Sequence, residues 1–172
     1  MASGRNIILT GMMGSGKSTI GRILGERLDW LYVDTDSLIT LAEEKEITEI
    51  FAAKGEAYFR RLEKETLLAA LKGDRQVIAT GGGIVLDRDN RKAMRKNGRV
   101  IYLRTGIEEL FKRLGQGEDR PLLSGFEIRE RLTRLLAERE RFYRQAKIII
   151  DTDQLSPEEV VEEILHKIGA LG

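Results

Sequence analysis

Cysteine is absent from the 172 residues, which excludes disulfides and thiolate metal sites. Histidine occurs once, as His166 in the last helical pattern, and one imidazole cannot build a histidine metal site. Neither sign of charge prevails, since 29 Lys and Arg are balanced by 28 Asp and Glu to leave a net of +1. The chain therefore lacks the global basic field that would hold a nucleic acid or an anionic membrane. No apolar run reaches bilayer-spanning length. The first apolar stretch is too short for a secretory signal, so a cytoplasmic protein is expected. Repeats, low-complexity segments and linkers are also missing, and the length suits one domain over residues 1–172.

What is present is organised around Gly11-Met12-Met13-Gly14-Ser15-Gly16-Lys17-Ser18-Thr19. The pattern is G-x-x-x-x-G-K-[ST], a phosphate-binding loop. An apolar run of strand length, Ile7–Thr10, precedes it, and Ile20, Ile23, Leu24 and Leu28 follow on one helical face. Glycines let the backbone turn tightly and bring bare N–H groups to phosphate oxygens, while the helix turns its positive end to the same anion. Lys17 suits the β- and γ-phosphates, and the Ser18 hydroxyl suits a magnesium ion bridging them.

Short, nearly all-apolar runs recur at 31–34, 77–80, 100–103 and 148–151, separated by helical patterns. Strands buried on both faces read this way, and the alternation predicts a parallel sheet covered by helices on both sides. Ligands of such sheets collect at the carboxyl ends of the strands. Asp34 and Asp36 lie at one such end. One suits a metal ion through water and the other a substrate hydroxyl, although Asp36 is also placed to cap a helix starting near Ser37. Gly81-Gly82-Gly83 lies at another such end, as a ligand-approach loop or as a permissive turn before a helix capped by Asp87.

Thr48 reads as an N-cap, and Phe59, Leu62, Thr66, Leu67, Ala70 and Leu71 as a helical apolar face. Arg60 stands at the edge of that face, where it can fork onto a carboxylate or lie in water. Thr105 to Glu108 reads as a capping box. Residues 115–125 break the pattern with glycines at both ends and charge between, as a closing lid would, and Arg120 would then arrive only on closure. Residues 127–145 form a patterned helix with arginines at 129, 131, 134, 139, 141 and 144, and periodicity does not select one of them for a site. Ser156-Pro157-Glu158-Glu159 opens the last helix with a second capping box.

With these pieces in order, the sequence resembles the shikimate kinases over essentially its whole length. The resemblance rests on the loop at 11–19, Val-Asp-Thr-Asp at 33–36, Gly-Glu-x-x-Phe-Arg at 55–60, Thr-Gly-Gly-Gly at 80–83, Arg-Pro-Leu-Leu at 120–123 and Arg-x-x-x-Tyr at 139–143. The family's usual Arg-x-Pro-Leu-Tyr reads here Arg139-Glu140-Arg141-Phe142-Tyr143, and anchoring on the tyrosine selects Arg139.

The resemblance implies a three-layer α/β fold with a five-stranded parallel sheet in order 2-3-1-4-5 and a lid. It implies transfer of the ATP γ-phosphoryl group to the shikimate 3-hydroxyl, on the route to chorismate and the aromatic amino acids. Gly14, Ser15, Gly16, Lys17, Ser18 and Thr19 would hold the phosphates of ATP. Ser18 would ligate one Mg²⁺, and Asp34 would contact it through water. Asp36, Arg60, Gly81, Gly82, Gly83 and Arg139 would bind shikimate within a region that includes 36–63. Asp36 is the candidate base, Arg60 and Arg139 the carboxylate clamp, and Arg120 the lid arginine. Arg113 and Pro157 would sandwich the adenine. A gluconate-type kinase of the same fold is the alternative. ATP and shikimate are the expected partners, no nucleic acid or membrane is expected, and the protein is expected to act as a monomer.

Overall fold

Five short apolar segments pair in parallel to make one sheet in the order β2-β3-β1-β4-β5. In the computed structural model, which describes residues 6–115 and 125–170, these are β1 (Asn6–Thr10), β2 (Leu31–Asp34), β3 (Gln76–Ala79), β4 (Gly98–Arg104) and β5 (Ile148–Asp151). The expected order and pairing are those observed, with β1 central between β3 and β4. The helices are α1 (Lys17–Leu28), α2 (Thr35–Glu43), α3 (Ile47–Ala70), α4 (Arg88–Asn97), α5 (Ile107–Gly115), α6 (Gly125–Tyr143) and α7 (Pro157–Ala170), and a 3-10 turn spans Ile84–Leu86. The expected lid, with Arg120, lies outside the described residues apart from the helix ends at Gly115 and Gly125.

Alternation along β1 divides the interior in two. Ile7 and Leu9 join Val77, Ile101, Leu103, Ile148 and Ile150 against α1 and α7. Ile8 points the other way, with Ile78 and Tyr102, into a layer closed by Leu67, Val85, Met94, Leu110, Leu132 and Tyr143. A strand buried on both faces must be apolar at every position, which is why the runs read as continuous rather than alternating. A third, much smaller cluster of Ile39, Ile50 and Phe59 joins α2 to α3 away from the sheet. Between Ile50 and Phe59 the helix α3 is interrupted at Gly55, whose φ of 81° and ψ of 172° leave the helical region.

Local details differ from the sequence reading at three helix starts. Asp34, not Asp36, caps α2, because its carboxylate accepts from the Ser37 N–H at 3.1 Å. Glu46, not Thr48, caps α3, and its box partner is Glu49. The box at Thr105 does not form: the Thr105 hydroxyl meets the Thr152 hydroxyl at 2.6 Å, and the Glu108 carboxylate pairs with Arg129. In each case a tertiary or neighbouring carboxylate or hydroxyl outcompetes the local partner that spacing alone suggests. Asp87 and Ser156 cap α4 and α7 as expected.

Close strand packing leaves no room at Gly98, which pairs with Asn6 in the β1–β4 ladder. A Cβ there would stand 2.6 Å from both the Asn6 carbonyl oxygen and the Ile8 side chain. Overpacking of this kind typically costs about 1–3 kcal/mol. Gly98→Ala should therefore lower the unfolding free energy by about that amount, read in urea denaturation as a lower midpoint at unchanged m-value.

Candidate active site

The loop between β1 and α1 is shaped by backbone angles that L side chains rarely adopt. Gly14 has φ 81° and Gly16, the residue before α1, has φ 92°. Lys17 opens α1 and folds back over the loop, donating to the Gly11 carbonyl at 2.8 Å and the Met12 carbonyl at 2.9 Å. Burial lowers its pKa to about 8, against the opposing pull of Asp36 and Asp34. Ser18 is exposed on the next position, and Thr19 beside it is also exposed. The Ser15 hydroxyl is buried under the loop without a partner.

The edge strand β2 brings its carboxyl end beside this loop. Asp34 accepts from Ser18 Oγ at 2.9 Å and from the Tyr32 hydroxyl at 3.1 Å, while its other oxygen caps α2. Hard oxygen donors of one hydroxyl and one carboxylate thus meet at the loop's edge. Among the described residues no group of three or more His, Asp or Glu converges as a preformed metal cage. That donor set fits magnesium, which keeps several waters and takes few protein ligands when phosphates share it.

Two residues on, in the first turn of α2, Asp36 faces inward. Its Oδ1 is buried without a partner, and burial together with Asp34 pushes its pKa up, opposed by Lys17 and Arg60. Across from it stands Glu63 of α3, 1% exposed. Glu63 accepts from Arg60 at 2.8 Å through Oε2, and its Oε1 is buried and unpartnered. Burial raises the Glu63 pKa, with Arg60 acting against it. Arg60 is 28% exposed and also reaches Glu56 at 3.5 Å. Its guanidinium is paired with acids of its own helix and lies against Gly83 rather than standing free in water.

Between these groups passes the turn of Gly81, Gly82 and Gly83. None of the three has a left-handed φ, so conformational freedom is not what requires glycine here. A Cβ on Gly81 would lie 2.7 Å from Glu63 Oε1 and 2.8 Å from Asp36 Oδ1. One on Gly82 would lie 3.1 Å from an Arg139 nitrogen, and one on Gly83 would collide with the Arg60 guanidinium. The glycines let four charged side chains crowd onto one stretch of backbone.

Arg139 is the arginine of α6 that the structure buries, at 7% exposed, and its Nε has no partner. Arg129 pairs with Glu108, Arg141 lies over Phe142 and Arg144 pairs with Glu140. Arg113 of α5 donates to Glu109 at 2.8 Å and to the Gly14 carbonyl at 3.3 Å, and its third contact is the Thr152 carbonyl at 3.5 Å. It therefore bridges the phosphate loop and the connection after β5. Pro157 is exposed at the first position of α7, and the hydrogen bonds of Arg113 end at Thr152 rather than beside it.

The sequence reading passed over Glu63. A signal was available: it falls four residues after Phe59 and four before Leu67, so the helical period places an acid on the apolar face of α3. Tyr143 entered the sequence reading as the anchor of the Arg-x-x-x-Tyr motif and was given no contact of its own, yet its hydroxyl donates to the Gly82 carbonyl at 2.5 Å.

Comparison with known proteins agrees with this arrangement. The family model described as shikimate kinase matches residues 13–169. A shikimate kinase of Geobacter metallireducens is 47% identical over 163 residues, which is 95% of this chain and 91% of that protein. One of Symbiobacterium thermophilum is 49% identical over 170 residues, covering 97% of this chain and 98% of the relative. The solved structure of Acinetobacter baumannii shikimate kinase in complex with shikimate superposes with a TM-score of 0.90 at 35% identity, covering 96% of this chain and 93% of the other. With the phosphate loop, the Asp34–Asp36 pair and the glycine turn converging as they do, the chain belongs to the shikimate kinase family.

Proposed function

We infer that the protein transfers the γ-phosphoryl group of ATP to the 3-hydroxyl of shikimate, giving shikimate 3-phosphate and ADP. The observation that carries the residue assignments is the crowding of Asp36, Glu63, Arg60 and Arg139 around Gly81–Gly83, beside Lys17. A small anion with several hydroxyls needs cationic forks and carboxylate acceptors within reach of a phosphate cradle, and that is the chemistry gathered here.

Residues 14–19 cradle the phosphates, and Lys17 exchanges its two carbonyl partners for the β- and γ-oxygens. Ser18 and Asp34 hold Mg²⁺, which when bound neutralises charge on the phosphate oxygens. Arg60 and Arg139 clamp the carboxylate of shikimate, with Glu63 holding Arg60 in place. The N–H groups of the Gly81–Gly83 turn approach the ring. Asp36, with one oxygen free and its pKa raised, accepts the proton of the 3-hydroxyl as the phosphoryl group arrives. Arg113 and Pro157 flank the adenine, and Arg120 comes in with the lid to meet the transferring charge. Phosphoryl transfer asks for positioning and charge neutralisation more than for covalent chemistry, and these groups supply both.

The lysine gives a pH test. Free enzyme with Lys17 at a pKa of about 8 carries the needed charge below that pH and loses it above. Because kcat/KM reports the free enzyme, kcat/KM for ATP should fall as pH rises through about 8. Bound phosphate anions favour the charged form, so kcat at saturating ATP should hold to a higher pH. Parallel pH profiles of the two parameters check this, and coincident profiles would refute it.

The function itself is tested by ADP release with Mg·ATP and shikimate, gluconate or AMP offered separately. Turnover is expected on shikimate, abolished by Lys17→Ala. Arg60→Ala should weaken shikimate binding by roughly tenfold to a hundredfold, the worth of one or two charge-assisted hydrogen bonds. Turnover on gluconate or AMP in place of shikimate would overturn the assignment.

A further inference from the structure

Arg139 is carried by a helix that begins immediately after the segment bearing Arg120, and something must fix that helix over the glycine turn. The structure supplies one direct tie. Tyr143, one helical turn after Arg139, is 1% exposed and donates its hydroxyl proton to the Gly82 carbonyl at 2.5 Å. A phenol has one proton to give and two lone pairs. With the proton committed to Gly82, the oxygen keeps its lone pairs, and the Arg139 guanidinium, which lies against the same glycine, acts on the phenol through its charge. Burial raises the Tyr143 pKa to about 12, so the proton stays in place throughout the working range.

The same bond orients the backbone. The carbonyls of Gly81 and Gly83 accept from the N–H groups of Ile84 and Leu86 at 3.2 and 3.1 Å, and Tyr143 takes the Gly82 carbonyl between them. No peptide bond among the described residues is cis. In a planar trans peptide the N–H points opposite to the carbonyl. Anchoring the Gly82 carbonyl on Tyr143 therefore sends the Gly83 N–H to the other side of the turn. The ring of Tyr143 is itself held, stacked on Tyr102 at 4.9 Å with 17° between planes, and the Tyr102 hydroxyl donates to Glu140 at 2.5 Å.

We propose that Tyr143 is a positioning residue for the acceptor substrate, aiming the Arg139 guanidinium and the Gly82–Gly83 peptide through one hydroxyl. This rests on the reading of Arg139 as a ligand of the shikimate carboxylate. Tyr143 itself touches no reacting atom, so its loss changes recognition of shikimate and leaves recognition of ATP alone.

The test is a steady-state comparison of Tyr143→Phe, Arg139→Ala, their double variant and Tyr102→Phe, each checked for its thermal midpoint. Tyr143→Phe should raise KM for shikimate roughly threefold to tenfold, the worth of one hydrogen bond, with KM for ATP unchanged. On the Arg139→Ala background the same change should add less than it does alone, because the part that acts through Arg139 is already lost and only the part that acts through the Gly82–Gly83 peptide remains. Tyr102→Phe removes a half-buried hydrogen bond between β4 and the same helix without touching Gly82, and should lower the midpoint with no shikimate-selective rise. Full additivity of Tyr143→Phe with Arg139→Ala, equal rises in both KM values, or the same selective rise in Tyr102→Phe would each overturn the proposal. An Arg139→Ala enzyme with unchanged KM for shikimate would overturn the underlying reading of Arg139 instead, and is recognisable from that single variant.

Discussion

A buried carboxylate sets the terms for the acceptor side of the site. Glu63 has almost no contact with water, and an ionised acid in that position requires a cation and hydrogen-bond donors. Arg60 answers directly at 2.8 Å, and the field of Arg139 also favours the ionised form. The guanidinium groups lean on Gly82 and Gly83 and the carboxylates of Glu63 and Asp36 on Gly81, which explains glycine at 81, 82 and 83 better than turn geometry does. Lys17, Arg60 and Arg139 stand here against Asp34, Asp36 and Glu63, so cationic forks and carboxylate acceptors are matched in number around the turn.

Everything with a local signature was legible in the sequence. The phosphate loop declares itself by glycine spacing, the strands by unbroken apolar runs, and the sheet order by resemblance to a family. What stayed hidden depends on contacts between distant segments. Arg60 could be placed at the edge of a helical face but not said to point inward, because the decision is made by Glu63 and by the absence of a Cβ at Gly83. Periodicity does not separate the arginines at 129, 131, 134, 139, 141 and 144; the family motif picks Arg139, and burial against Gly82 is the feature of the fold that sets it apart. Capping failed for a related reason: at Thr105 the competitor is Thr152, which lies 47 residues away. Spacing rules describe what a segment would do alone, and tertiary partners override them wherever the polar group is buried.

The parallel sheet does the work of assembly. Because β1, β2 and β3 are adjacent and run the same way, their carboxyl ends deliver the phosphate loop, the two aspartates and the glycine turn to one edge. None of these pieces could find the others through local folding. The core that supports them is layered on both faces of the sheet, and α6 is part of one layer through Leu132 and Tyr143. Arg139 is thus positioned by the same helix packing that closes the hydrophobic interior.

The small cluster of Ile39, Ile50 and Phe59 has a different standing. It lies off the sheet, and the helix that crosses it is broken at Gly55, where a side chain would meet only open space. A flank held by so few apolar side chains opens at a lower free energy than the sheet does. Phe59 is the neighbour of Arg60, so on the proposed reading of Arg60 the acceptor's carboxylate is met by a helix anchored through this small cluster, while the nucleotide's phosphates are met by a loop rooted in the central strand of the sheet.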